Sequence, residues 1–214
     1  MTQPEVEIRR AWRHVVGGGH DGDLDGLLSR YSEPHRYYHT ATHVMTVIRT
    51  VHDVSAMLER QPSEELVAAA LYHDAIYEPR ADDNEARSAT LAHNQLTDAG
   101  WSYGRCAIVA ALILATASHS GTDADLDTET AILLDADLAI LGAEPHSYTA
   151  YATGVRAEYF FVDQERWRTG RGRILQNFLD RPRIFATDYM HTEFENRARA
   201  NIEAELAALK TIDR

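Results

Sequence analysis

Four residues stand out by their type and their surroundings: His43, His73, Asp74 and Asp137. His73 and Asp74 lie in LVAAALYHDAIY, residues 66–77, a segment apolar on every side of a helical wheel and therefore expected as a buried central helix. An ionised carboxylate inside a core is costly unless it is paired or bound to a metal. Neighbours on a helix project about 100° apart, so an adjacent His-Asp pair can approach one ion from two sides. In ILLDADLAIL, residues 132–141, Asp135 and Asp137 project about 200° apart and cannot both face one site. Leu133, Leu134, Leu138, Ile140 and Leu141 mark the apolar face. Asp137 falls inside that face and is expected as the buried carboxylate that needs a partner. Asp135 falls outside it and is expected as a solvated or supporting group. In PHRYYHTATHVMTVI, residues 34–48, His39 and His43 are four apart and share a helix face. Val44, Val47 and Ile48 turn His43 toward the core edge and leave His39 one turn nearer the mouth; the plain alternative is a histidine-rich start to an amphipathic helix. Two imidazoles and two carboxylates form a mixed nitrogen and oxygen set suited to Mn, Fe, Ni, Co, Zn or Mg.

The elements that must position these groups read as helices nearly throughout, near 4–16, 21–32, 40–60, 63–77, 83–99, 103–118, 126–142, 146–162, 164–179 and 191–210. No stretch alternates as a sheet requires. Gly17-Gly18-Gly19 closes the first helix, acids follow Pro62-Ser63 at the start of the fourth, and Gly100 ends the fifth. With no repeat, linker or low-complexity segment, one all-α domain covering 1–214 is the expected architecture. Two acidic motifs resemble calcium loops. The one that starts at Asp21 has Ser32, and the one that starts at Asp123 has Leu134, where a bidentate Glu is needed, so both are expected to be polar turns and helix caps.

Composition removes other mechanisms. The 214 residues are 44% apolar and 25% charged, the balance of a globular chain. A net charge of −12 repels phosphate backbones, so no nucleic-acid partner is expected. No apolar run reaches the ~20 residues that span a bilayer, so no membrane partner is expected either. The N-terminal MTQPEVEIRRAWRH lacks a signal-peptide core, which points to a cytoplasmic protein. Cys106 is the only cysteine and sits in an apolar run, which leaves no disulfide framework and an inert thiol. Lys210 is the only lysine, which excludes a Walker A lysine and disfavours Schiff-base chemistry. Leu133-Leu134-Asp135-Ala136-Asp137 resembles the motif of aspartyl-phosphate phosphatases. That motif ends a parallel strand, which nothing here predicts, and Leu138-Ala139 lacks the usual Thr or Val.

The order His43, His73-Asp74, Asp137 in an all-helical chain resembles the HD superfamily of metal-dependent phosphohydrolases over roughly residues 35–142. YHTATH, LYHDAIYEP, DNEARSA and DADLAILG look like a subgroup identified only as predicted HD phosphohydrolases. The resemblance implies an HD-type helical bundle with additional C-terminal helices over 143–214. It also implies one divalent metal ion held by His43, His73, Asp74 and Asp137, with water and a phosphate oxygen at the open positions. The implied reaction is hydrolysis of a phosphoester in a small phosphorylated molecule, a nucleotide being one such substrate. Asp74 and Glu78 are the implied catalytic acids, and His39, His119 and Arg156 the candidate substrate-binding residues. Relatives with two metals carry extra histidines, often as a doublet. Only His93 and His119 lie in that interval here, which favours one metal over a di-iron oxygenase. A non-catalytic metal-binding regulatory module is the remaining alternative. The Arg-rich C-terminal part is expected to form mostly surface salt bridges. An apolar helix face could pair two copies into a homodimer.

Overall fold

Apolar residues recur at helical spacing along the chain, and a computed structural model, which describes residues 2–117 and 126–211, turns that spacing into helices. Among the described residues these are α1 (Gln3–Val15), α2 (Asp21–Arg30), α3 (Ala41–Met57), α4 (Glu64–Tyr72), α5 (Asn84–Asp98), α6 (Tyr103–Ala115), α7 (Thr128–Leu138), α8 (Pro145–Glu158), α9 (Gln164–Leu179) and α10 (Asp188–Thr211). A 3-10 turn over Ala139–Gly142 follows α7. No strand is present among the described residues, and no helix is long and apolar enough to cross a membrane.

Helix α4 sits at the centre. Leu66 through Tyr72 are each no more than 1% exposed, and α1, α3, α5, α6 and α7 all pack on the helix. Its start is conventional. Ser63 caps the amide of Leu66 at 3.0 Å, and Glu64 and Glu65 in the first turn pair with Arg105. Its end comes earlier than the expected residue 77. The amide of Ala75 turns back to the carbonyl of Tyr72 at 2.9 Å, so His73 and Asp74 sit in a turn and not inside a helix. The carbonyls exposed there are met by buried donors. Tyr31 Oη donates to Leu71 O at 2.8 Å, and Arg36 donates to Asp74 O at 2.7 Å and Ala75 O at 3.1 Å. The guanidinium also donates to His39 O at 3.1 Å and is fully buried. It therefore ties the approach to α3 to the end of α4.

The acidic motifs act as helix starts. Asp21 and Asp23 occupy the first turn of α2, and Asp127 caps α7 by accepting the amides of Glu129 and Thr130 at 3.0 Å. Asp123, Asp125 and His119 lie outside the described residues.

The C-terminal helices join the same apolar cluster, which runs from Ile8 in α1 to Ile202 in α10. Helix α10 crosses the 3-10 turn, where Asn201 Nδ2 donates to Leu141 O and Ala143 O at 2.9 Å each. The crossing is close because Gly142 has no side chain. A methyl there would lie 2.7 Å from Phe194 Cβ. Gly142→Ala should therefore destabilise the fold by about 1–3 kcal/mol through overpacking, read as a lower urea midpoint with unchanged helicity before the transition.

Candidate metal centre

His43 from α3, His73 and Asp74 from the turn after α4, and Asp137 from α7 converge, with one ligand atom from each lying within 4.8 Å of all the others. His43 Nε2 is 3.0 Å from His73 Nε2, 3.1 Å from Asp137 Oδ1 and 3.3 Å from Asp74 Oδ2. His73 Nε2 is 3.2 Å from Asp74 Oδ2 and 3.6 Å from Asp137 Oδ1. Ligands sharing one ion at bonds of about 2.1 Å lie about 3.0 Å apart at right angles and about 3.4 Å apart at the tetrahedral angle. These separations fit one shared cation. Two imidazole nitrogens at 3.0 Å also cannot face each other as lone pairs, so a proton or a cation must lie between them. His73 Nδ1 contacts Ala70 O at 3.0 Å, which places its proton on Nδ1 and aims the Nε2 lone pair at the cluster.

The electrostatics follow from burial and pairing. Burial pulls the pKa values of His43 and His73 down, but the Asp74 and Asp137 carboxylates outweigh it, so both imidazoles are raised. Burial also opposes charge on Asp74. The imidazoles of His73 and His39, with bonds from His43 and His73, hold it well below the usual carboxylate range. The imidazoles are sealed, at 5% exposure for His43 and 1% for His73, while the side chains of Asp74 and Asp137 keep 17% and 14%. The cluster is thus open only on its carboxylate side. That side borders a cavity of about 650 Å³ lined there by Tyr38, His39, Tyr77 and Asp137.

Around the cluster lies a carboxylate that sequence reasoning passed over. Glu158, the last residue of α8, is buried. Its Oε1 accepts the consecutive amides of Tyr37, Tyr38 and His39 at 2.8, 2.8 and 3.0 Å. Its Oε2 meets His39 Nδ1 at 2.7 Å and accepts from Tyr77 Oη at 2.9 Å. Burial opposes charge on Glu158, but the His39 imidazole and the backbone amides outweigh it and lower its pKa to about 2. His39 is then held between this carboxylate and the face of Tyr77, at 4.1 Å between ring centroids, and its Nε2 is the nitrogen Glu158 leaves unused. The available signal was Val155 and Glu158, three apart in VRAEYFF, which put an acid on the apolar face of its helix.

Three other sequence-predicted residues lie apart from the cluster. Arg156 turns away and donates to Tyr159 O at 2.6 Å and Val162 O at 3.0 Å, bracing the loop after α8. Glu78 is exposed; its amide donates to Asn84 and its carboxylate accepts the amide of Arg80 at 3.4 Å. The expectation for Asp135 needs correction: it is not solvated but 0% exposed. It accepts the amides of Ala186 and Thr187 at 2.7 and 2.8 Å and the Thr187 hydroxyl at 2.6 Å, just ahead of α10. Asp137 is the more open of the two. The wheel failed because α7 is covered on nearly all sides, so a position opposite the main apolar face is still interior. Burial pushes the Asp135 carboxyl up to about 6 against the pull of these bonds.

The chain matches no known protein-family model, no curated protein and no solved structure.

The two aspartates should separate cleanly on mutation. Asp135→Asn is expected to cost about 1–3 kcal/mol, by turning an amide donor toward backbone donors, and to leave metal content unchanged. Asp137→Asn should lose the metal; elemental analysis beside urea melts of both variants tests the division. A pH dependence follows as well. Because His43 and His73 carry raised pKa values, a metal must displace their protons. Affinity should fall as pH drops through these raised values, and calorimetry in buffers of different ionisation enthalpy should show proton release on binding.

Proposed function

We propose that this protein is a metal-dependent phosphohydrolase acting on a small phosphorylated molecule. The observation that carries the reading is the one-sided opening of the four-residue cluster. Both imidazoles are sealed, and the carboxylate edge faces a cavity whose nearest walls are His39, Tyr38 and Tyr77. A divalent ion held by His43, His73, Asp74 and Asp137 would supply Lewis acidity toward a phosphoryl oxygen and acidify water. The chain's own part is positioning. Asp137 lines the cavity and Asp74 stays partly open beside His43 and His73, and the two carboxylates would hold the ion together with the imidazoles. Glu158 fixes His39 with its Nδ1 proton toward the carboxylate, which leaves Nε2 to hold or deliver a proton at the leaving-group oxygen. Tyr77 stacks on that ring and keeps it in place. No covalent step on the enzyme is required, in keeping with the buried Cys106 and the single remote Lys210. Glu78 has no part in this arrangement.

The test uses protein loaded with manganese, nickel, cobalt, zinc, iron or magnesium and a panel of phosphomonoesters. Phosphate release should depend on the metal and vanish in His73→Ala. His39→Ala should keep the metal and lower kcat by about a hundredfold or more. Glu158→Gln should fall between it and the wild type. Metal-replete protein that releases no phosphate from any ester would overturn the reading.

A further inference from the structure

The cavity beside the metal cluster continues along one face of α9 and the 3-10 turn. Its wall away from the cluster includes Leu138, Leu141, Val155, Trp167, Ile174 and Phe178. Several polar side chains of that wall, among the described residues, are engaged within the protein or lie at the rim. Tyr151 Oη accepts from both terminal nitrogens of Arg171 at 3.2 Å, and Arg171 is in turn paired with Glu205 at 2.8 and 3.0 Å. Tyr77 Oη donates to Glu158. Arg181 lies over the ring of Phe178 at 4.6 Å. Arg166 pairs with Asp163 at 3.3 Å with 84% of its side chain exposed, and Asn177 is exposed.

A ligand reaching from the cluster into this space meets hydrocarbon and aromatic faces. A hydroxyl or an amide placed against them gives up water and gains no partner, while a methylene gains about fourfold in affinity for each one buried. The volume of about 650 Å³ accommodates a body well beyond a phosphate.

We infer that the group carried by the phosphate is largely apolar: the substrate is an alkyl or aryl phosphomonoester. The inference rests on the phosphohydrolase reading above, which supplies the anchoring of the phosphate end. The juxtaposition behind it is a polar end, where the His/Asp cluster lies, joined to a wall of Leu138, Leu141, Val155, Trp167, Ile174 and Phe178.

Non-hydrolysable phosphonates test it by binding alone. Manganese-loaded protein is titrated calorimetrically with methyl-, propyl-, hexyl-, phenyl- and 2-aminoethylphosphonate. Hexylphosphonate should bind at least about tenfold more tightly than methylphosphonate. Propylphosphonate should bind more tightly than 2-aminoethylphosphonate, its isostere with a charged amine at the end. The phenyl compound distinguishes an aryl from an alkyl preference. Ile174→Asp, on a half-exposed position that tolerates a polar side chain, should reduce the hexyl-to-methyl ratio severalfold. Equal affinities across the series, with methylphosphonate binding measurably, would overturn the apolar assignment and leave the phosphohydrolase reading standing. Metal-loaded protein that binds no phosphonate would overturn both.

Discussion

A helix buried on every side must still satisfy the carbonyls of its last turn, and it cannot do so with water. In this protein that helix is α4, and its end carries two of the four clustered residues, His73 and Asp74. The solution is a buried guanidinium and a buried phenol. Arg36 and Tyr31 supply donors to Leu71, Asp74 and Ala75, and Arg36 at the same time holds the carbonyl of His39. The turn after α4 and the approach to α3 are thereby fixed to each other. His73 and Asp74 come from the first and His43 from the second, so the ligand geometry follows from how α4 is terminated. Arg36 carries no ligand atom, yet three of the four ligands depend on the contacts it makes.

The second tie is Glu158, which joins the C-terminal helices to the half that carries His43, His73 and Asp74. A carboxylate that accepts three consecutive amides, a ring nitrogen and a phenol is rigid, and its charge is compensated without a lysine or arginine. The close approach this needs is permitted by Gly154, where a methyl would lie 3.3 Å from Tyr38 Cβ. Asp135 plays the matching part on the other side of α7, holding the amides ahead of α10. Opposite sides of one helix thus send Asp137 to the His/Asp cluster and Asp135 to a structural cap. The two acids differ in what surrounds them: amides and a hydroxyl at Asp135, and imidazoles beside a cavity at Asp137.

The cluster and the cavity form one unit with two characters. At the cluster, two carboxylates and two imidazoles sit close together with little exposure, so each interaction is strong and protons or a cation must balance the carboxylates. Along α9, Arg171 is paired with Glu205, Arg166 pairs with Asp163, and Arg181 lies over the ring of Phe178.

What the sequence determined by itself was local. Helical apolar spacing, capping residues and glycine stops specify the helices to within a few residues, because these signals act over one or two turns. The rarity of a carboxylate in an apolar run singled out Asp74 and Asp137 for the same reason: the cost of burial is legible from immediate neighbours. Tertiary structure decided what depends on distant partners. The early end of α4 depends on Arg36, some forty residues away. The burial of Asp135 depends on amides fifty residues later in the chain, which a helical wheel does not contain. The role of Glu158, and the turning away of Arg156 two residues before it, depend on which side of α8 meets the loop ahead of α3. Whether a polar side chain serves a site or a cap is set by what packs opposite it, and only the folded chain supplies that.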